Sequence, residues 1–170
     1  MKVGINGFGR IGRCVTRHII DDRPDIEIVK INASGDVDTN MHLLKYDSVH
    51  GRWKATVDCE RSHNRDIDQL DWIGCDVVLE CTGAFNDGKK SYKHIENGAK
   101  KVVISAPAKN VDRTVVYGVN HQDILPSDMV VSNASCTTNC LAPLVKVLDD
   151  KLKIVNGQMT TIHSLSLIHI

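Results

Sequence analysis

The chain has 170 residues, of which 42% are hydrophobic and 25% charged, a composition that excludes a disordered tail or a collagen-like repeat. Its 21 basic and 21 acidic residues cancel to a net charge of zero, which removes the electrostatic basis for binding nucleic acid or an acidic membrane surface. The length favours one domain with a substantial core. Because neither a long apolar run nor a signal peptide is found, we expect a soluble, cytoplasmic protein with no membrane partner.

The hydrophobic pattern predicts short strands that alternate with helices along the chain. The predicted elements are, in order, a strand at 2–6, a helix at 10–20, a strand at 26–31, a helix at 40–46, a strand at 76–80, a helix at 87–97, strands at 101–105, 115–118 and 129–132, a helix at 135–148 and an extended segment at 155–163. Strands that are apolar throughout and separated by helices are typical of parallel sheets covered on both faces. We therefore predict an α/β fold, a doubly wound (Rossmann-type), mostly parallel sheet with helices on both faces.

A glycine-rich turn joins the first predicted strand to the first predicted helix. The sequence GFGRIG, which begins at Gly7, matches the pattern G-x-G-x-x-G and in this context indicates a dinucleotide site. Gly7 permits the tight turn, Gly9 lets the backbone approach a pyrophosphate, and Gly12 allows the helix to pack closely. The amides of Arg10 and Ile11 would lie at the helix N-terminus, where they favour an anion. An ordinary tight turn is the alternative.

A cysteine stands where one strand is predicted to end and a helix to begin. Thiols at a helix N-terminus form the nucleophilic thiolate more readily, so Cys136 is the candidate nucleophile, whereas Cys140, one turn later, is expected to be a packed neighbour. His163 ends the extended segment and is the candidate partner of the thiol. Burial of both cysteines on one helix face is the alternative. A metal site is disfavoured, because the segment between Cys140 and His163 is longer than the roughly 12 to 15 residues typical of zinc fingers.

With these residues in view, the sequence resembles the cofactor-binding half of the phosphorylating glyceraldehyde-3-phosphate dehydrogenases. The resemblance runs from Lys2 to about Ser164 and rests on four blocks in order, which are NGFGRIGR from Asn6, LKYDSVHG from Leu44, SAPAK from Ser105 and SCTTNC from Ser135. It implies a dinucleotide-binding domain over residues 1–136 and the truncated start of a catalytic domain over 137–164. Residues 165–170 depart from the family pattern and are expected to be a non-native tail.

The resemblance also implies roles for individual residues. Cys136 matches the nucleophile that forms a thiohemiacetal and then an acyl thioester, and His163 matches the histidine that activates the thiol. Ser135 and Thr137 match positions that contact substrate or inorganic phosphate. The cofactor contacts implied in the same way are Gly7, Phe8, Gly9, Arg10, Ile11, Gly12, Arg65, Thr82, Gly83 and Ser105.

The activity implied by the resemblance is the NAD(P)-dependent oxidative phosphorylation of glyceraldehyde 3-phosphate to 1,3-bisphosphoglycerate, a reaction of glycolysis and gluconeogenesis. The implied protein is a cytoplasmic homotetramer whose ligands are small molecules. Erythrose-4-phosphate dehydrogenase, which shares the fold and the cysteine, stays open as an alternative, as does a non-catalytic dinucleotide-binding module. The family's phosphate-binding arginine and nicotinamide-anchoring asparagine lie in a second half that we do not find, so we expect this chain alone to be inactive.

The end of the second predicted strand bears on the choice between NAD and NADP. Ala33 stands where the family commonly has an aspartate, the residue that bonds the ribose 2′-OH in NAD-preferring folds. Without that carboxylate nothing repels a 2′-phosphate, and Ser34 can donate a hydrogen bond to it. Asp36 is the counter-argument, because it would restore the preference for NAD if it turned inward. We therefore predict that both cofactors bind, with Ala33 and Ser34 among the contacts.

Overall fold

The computed structural model describes residues 1–162; His163 and the predicted tail at 165–170 lie outside them. The strands within this range are β1 Lys2–Asn6, β2 Glu27–Asn32, β3 Tyr46–Asp47, β4 Gly51–Arg52, β5 Glu60–Ser62, β6 Val77–Glu80, β7 Lys101–Ile104, β8 Arg113–Thr114 and β9 Val130–Ser132. The α-helices are α1 Arg10–Asp22, α2 Val37–Lys45, α3 Gly88–Ser91, α4 Lys93–Glu96 and α5 Cys136–Leu152. Single 3₁₀ turns lie at Ile67–Gln69 and His121–Asp123.

Seven of the strands form one sheet in the order β5-β2-β1-β6-β7-β9-β8, and each neighbouring pair is parallel. From β1 the chain proceeds to β2 and β5 on one side and then to β6, β7 and β9 on the other. The order therefore reverses between β1 and β6, and ligands of open α/β sheets bind outside the carboxyl ends of the strands at such a reversal. The predicted doubly wound, parallel α/β fold is confirmed.

The strands are buried on both faces, as the continuous apolar runs predicted. Four consecutive residues of β1, from Val3 to Asn6, are buried. Side chains of α1 and α2 pack with Val3 and Ile5 in one apolar cluster, whereas Ile95 of α4 packs in a second cluster around Trp72 and Val78. Helices thus cover the sheet from both sides. None of the helices in the described part of the chain combines the length and apolarity that a bilayer-spanning segment needs.

The bounds of three predicted helices differ in the structure. The helix predicted at 87–97 is two short helices, α3 and α4, which meet at Tyr92. The helix predicted at 40–46 begins earlier, because Asp36 accepts the amide of Thr39 at 2.8 Å and caps α2. The helix predicted at 135–148 continues to Leu152.

The strand predicted at 115–118 is wrong in position. β8 comprises Arg113–Thr114, and the chain then enters a turn in which Gly118 has φ of +80°. Asn120 accepts the amide of Val116 through its Oδ1 atom at 2.8 Å. This side-chain bond replaces a strand partner and ends the strand early. The described residues 155–162, which lie in the predicted extended segment, pair with no strand of the sheet.

A short hairpin, β3–β4, was not anticipated from the sequence, because each strand has only two residues. Arg17 of α1 holds it in place. Its guanidinium donates to the carbonyl of Leu44 at 2.5 and 2.9 Å and to that of Gly51 at 3.2 Å. The hairpin therefore lies against the helix that follows the glycine turn.

Candidate active site

The three glycines of the turn after β1 differ in how closely other atoms surround them. Gly7 has φ of +96°, and a Cβ atom there would lie 2.7 Å from the amide nitrogen of Thr82. A Cβ atom on Gly12 would lie 2.1 Å from the carbonyl oxygen of Gly7. At Gly9, by contrast, a Cβ atom would meet nothing within 4 Å. Gly7 and Gly12 are thus required by packing, while the backbone at Gly9 faces open space.

The N-terminus of α1 has anion-binding character. Gly9 is the N-cap residue, and no side chain in the described chain caps this helix. The amides of the first turn, including those of Arg10 and Ile11, therefore lie at a positive helix end without a side-chain acceptor in the cap. The guanidinium of Arg10 is directed elsewhere, since its Nη1 atom lies 2.5 Å from Oδ2 of Asp47.

The carboxylate of Asp47, which binds the guanidinium of Arg10, is itself held in place by backbone amides. Its Oδ1 atom accepts the amides of His50 and Val49, each at 2.8 Å. These backbone hydrogen bonds, with a further contribution from Arg10, lower the pKa of Asp47 to about 2. The Arg10–Asp47 pair consequently links the first turn of α1 to the β3–β4 hairpin, and the amide of Arg10 rather than its side chain is available to a ligand.

A cleft of about 350 Å³ lies over the carboxyl ends of the strands, at the reversal of strand order. Six of the predicted cofactor residues line it, namely Gly7, Phe8, Gly9, Ser34, Arg65 and Thr82. Ser34 follows β2 and Arg65 follows β5, on one side of the reversal, whereas Thr82 follows β6 on the other. The fold thus brings together residues that are far apart in the sequence.

The other predicted cofactor residues lie around this cleft. Ala33 is 6% exposed and lines a small adjoining cavity together with His63, whose Nδ1 atom is 3.0 Å from the carbonyl oxygen of Ala33. Gly83, with φ of +75°, lies in the exposed turn after Thr82. Ser105 follows β7, one strand further along the edge, and its amide donates to the carbonyl of Glu80 at 3.0 Å.

Asp36 is not among the residues that line the cleft. It caps α2 through Thr39, and these hydrogen bonds lower the pKa of its carboxyl group. The same bond holds the carboxylate at the start of α2. Arg65, a cationic residue, lines the same cleft as Ser34.

Sequence reasoning missed the polar floor of the cleft. Asn6 ends β1 and Asn32 ends β2; both are buried, and both line the cleft with Asn64. A signal was present, since an asparagine at the carboxyl end of an otherwise apolar parallel strand is a buried polar group that requires partners. Further lining residues that were not predicted are Leu70, Cys81, Ala84 and Phe85.

Cys136 is the first residue of α5 and is exposed. Ser135 caps the helix by accepting the amide of Thr138 at 2.9 Å, so its hydroxyl has a structural role besides the predicted contact with substrate. A depression of about 310 Å³ is lined by Cys136, Thr137 and residues 159–161. The segment that leads to His163 therefore returns to the cysteine, although the histidine itself lies outside the described residues.

The six cysteines, all within the described range, are free thiols. The expectation that Cys140 is packed is wrong: it is exposed and lines the same depression as Cys136, because the outer face of α5 carries no other element in residues 1–162. Cys81, which lines the cleft over the strand ends, is a different case. Its burial raises the pKa of its thiol to about 11, which leaves it protonated and unreactive.

The predicted site residues follow one edge of the sheet. The glycine turn follows β1, Thr82 follows β6, Ser105 follows β7 and Cys136 follows β9. Because these strands are parallel neighbours, their carboxyl ends lie at the same edge in this order. An extended ligand that lies along the edge has one end near Arg65 and the other directed toward Cys136.

The glycine geometry makes a prediction for stability. Gly12→Ala is expected to lower the free energy of unfolding by about 1–3 kcal/mol or more, because the new methyl group overlaps the carbonyl of Gly7 and the turn must shift. Gly9→Ala is the matched control, with an expected loss under about 1 kcal/mol, since its methyl group enters open space. Urea unfolding of both variants measures the difference. Equal losses would contradict the packing role of Gly12.

Comparison with known families agrees with this geometry. The family model for the glyceraldehyde 3-phosphate dehydrogenase NAD binding domain matches residues 1–88, and that for the C-terminal domain of the same enzymes matches residues 135–167. The chain is 52% identical to a glyceraldehyde-3-phosphate dehydrogenase of Cereibacter sphaeroides over 177 aligned residues, which cover 96% of this chain and 53% of the relative. An enzyme of the same name from Geobacillus stearothermophilus is 52% identical over 179 residues, with 96% and 53% covered. The chain spans about half the length of the curated relatives it matches.

Proposed function

The chain belongs to the glyceraldehyde-3-phosphate dehydrogenase family, and from that premise we propose that it serves the NAD(P)-dependent oxidation and phosphorylation of glyceraldehyde 3-phosphate. In this proposal residues 1–136 bind the cofactor and residues 137–164 begin the catalytic domain. The observation that carries the proposal is the common sheet edge, along which the glycine turn and an exposed helix-start cysteine both lie. A binding module alone has no need of such a cysteine.

The residues of the cleft fit a dinucleotide. The open space at Gly9 is the place where a side chain would obstruct a pyrophosphate, and the uncapped amides of Arg10 and Ile11 stand next to it. Ser34 and Arg65 would hold the adenosine side, and Thr82 and Gly83 the middle of the cofactor. When bound, the nicotinamide supplies the acceptor for the hydride that leaves the aldehyde carbon.

The covalent chemistry belongs to Cys136. Its sulfur forms a bond to the aldehyde carbon, and after oxidation it holds the acyl group as a thioester. Inorganic phosphate then forms a bond to the acyl carbon as the carbon–sulfur bond breaks, which yields the acyl phosphate and regenerates the thiolate. The exposure of Cys136 and its position at the start of α5 support this role, and His163 is the proposed proton carrier.

The cofactor is proposed to include NADP as well as NAD. A family model for an NAD binding domain covers residues 1–88, so NAD is the cofactor of the family. Acceptance of NADP is supported by Ala33, which carries no charge, and by Arg65, a cationic residue that lines the same cleft as Ser34. Asp36 is held at the start of α2, away from this role.

Glyceraldehyde 3-phosphate is favoured over erythrose 4-phosphate, because the relatives at about 50% identity bear the name of the triose phosphate enzyme. The ligands proposed are accordingly small molecules, namely the triose phosphate and inorganic phosphate. The homotetramer, the cytoplasmic location, and the lack of nucleic-acid and membrane partners stay predictions.

The proposal is tested in two steps. Calorimetric titration of the 170-residue chain with NAD is expected to show one site, because the cleft lies within residues 1–162. The protein that the full reading frame encodes is then assayed for reduced cofactor formed from glyceraldehyde 3-phosphate and phosphate. Cofactor binding without turnover on either sugar phosphate would favour the binding module, and turnover on erythrose 4-phosphate alone would reverse the substrate assignment.

A further inference from the structure

A chain of hydrogen bonds links the carboxyl ends of four adjacent strands directly beneath the proposed cofactor cleft. It runs from the main chain of Asn64, after β5, through the side chains of Asn32 of β2 and Asn6 of β1 to the side chain of Glu80 of β6. Beyond Glu80 it continues to His94 of α4 and Trp72. The side chains of Glu80 and His94 are fully buried, and Asn6 is 1% exposed. Buried polar groups of this kind are costly unless every donor has an acceptor.

At one end, the main chain of Asn64 sets the donor and acceptor direction of the hydrogen bonds. Its amide donates to Oδ1 of Asn32 at 2.9 Å, and its carbonyl accepts from Nδ2 of Asn32 at 2.7 Å. A backbone amide is only a donor and a carbonyl only an acceptor, so the orientation of the Asn32 amide is fixed. Nδ2 of Asn32 also donates to Oδ1 of Asn6 at 2.7 Å. Asn6 therefore presents its Nδ2 atom to Oε2 of Glu80, at 2.6 Å.

At the other end, Trp72 sets the direction of the hydrogen bonds through His94. The indole Nε1 of Trp72 is a donor only, and it lies 2.9 Å from Nδ1 of His94. Nδ1 must accept, so the neutral imidazole carries its proton on Nε2. That nitrogen lies 3.0 Å from Oε2 of Glu80. The histidine is thereby held in one tautomer by a residue at the far side of its ring.

Hydrogen bonds from both ends consequently converge on Glu80. Oε2 accepts from Asn6 and His94, and Oε1 accepts the amide of Thr82 at 2.7 Å as well as its hydroxyl. An ionised carboxylate satisfies all of these donors, because it has two acceptor oxygens and no proton. An amide or a protonated acid would place a donor against Asn6 and His94, or else against the amide of Thr82.

We propose that Glu80 is a positioning residue for the cofactor: its buried carboxylate ends a one-directional hydrogen-bond chain that holds Asn6, Asn32, Asn64 and Thr82 in their orientations along the cleft. All four of these residues line the cleft, so the carboxylate connects the wall formed after β5 with the wall formed after β6. The inference rests on the proposed cofactor site. Glu80 itself is buried beneath the cleft and acts on the ligand through these neighbours.

Glu80→Gln tests the proposal, because it keeps the shape of the side chain and removes one acceptor. We expect the Kd for NAD to rise about tenfold or more, since at least one buried donor loses its partner. In NMR spectra the amide signal of Asn64 is expected to shift, although Asn64 lies three strands from the substitution. Val102→Ala is the control. Val102 is buried in β7 and takes no part in the hydrogen-bond chain through Glu80. This substitution should therefore lower the unfolding temperature and leave both the Kd for NAD and the amide signal of Asn64 unchanged.

The ¹⁵N spectrum of His94 in the unaltered protein provides a second test that does not depend on the folding of the variant. A neutral imidazole protonated on Nε2 is expected at pH 7, and the Nδ1-protonated tautomer or the imidazolium would overturn the proposal. An unchanged Asn64 signal in Glu80→Gln, or a Kd for NAD within twofold of the unaltered chain, would also overturn it. If the unaltered protein binds neither NAD nor NADP, the proposed function fails and the positioning role for the cofactor fails with it, while the two NMR readouts still test the hydrogen-bond chain through Glu80.

Discussion

Replacing Cys136 by serine is expected to abolish dehydrogenase activity of the protein that the full reading frame encodes, by on the order of a thousandfold or more, as in other enzymes that lose a covalent nucleophile. A serine hydroxyl does not form the nucleophilic anion in this position, because a helix N-terminus stabilises an anion by only about 1 kcal/mol. Cofactor binding should stay within about twofold of the unaltered protein, since Cys136 does not line the cofactor cleft. A rate assay and calorimetry measure the two effects separately.

Cys140→Ser is the matched control for that experiment. Cys140 is exposed in the same depression, but it lies one turn inside α5, where the helix end has little effect. Its replacement is expected to change the rate by less than about threefold. In the 170-residue chain, mass spectrometry after a brief iodoacetamide pulse should find Cys136 labelled ahead of Cys140. Equal labelling of the two thiols, or an equal loss of activity in the two variants, would contradict the assignment of Cys136.

Ala33→Asp is expected to weaken NADP binding by about a hundredfold and to strengthen NAD binding by several-fold. A carboxylate at this position repels a 2′-phosphate and accepts a hydrogen bond from a 2′-OH. A hundredfold change corresponds to about 2.7 kcal/mol, which lies within the range expected for like charges a few ångströms apart near a protein surface. Calorimetric titration of both chains with both cofactors gives the ratio directly.

Asp36→Asn is the control for cofactor specificity. Asparagine caps helices as well as aspartate does, so α2 should keep its start at Val37, and the ratio of the two affinities should change by less than about threefold. A preference of the unaltered chain for NAD above about a hundredfold would mean that another group reads the ribose. A large change of the ratio in Asp36→Asn would identify that group as Asp36.

The sequence by itself determined the elements whose signals are local. A glycine pattern between an apolar strand and an amphipathic helix requires only neighbouring residues, and β1, the turn at Gly7 and α1 lie where they were predicted. The same holds for β9 and the start of α5, which place Cys136 at a helix N-terminus. Capping, turn conformation and hydrophobic periodicity depend on only a few neighbouring residues, and they can therefore be predicted from the sequence.

Only the tertiary structure decided which of these pieces meet. Asn6 and Glu80 are 74 positions apart in sequence, yet they share a hydrogen bond, because β1 and β6 are neighbours in the sheet. Arg65 and Ser34 line one cleft for the same reason, as β5 pairs with β2. Strand order and register are set by the packing of the whole core, so no local pattern contains them. The exposure of Cys140 was likewise decided by whether a partner element packs against that face of α5, which is a property of the folded chain.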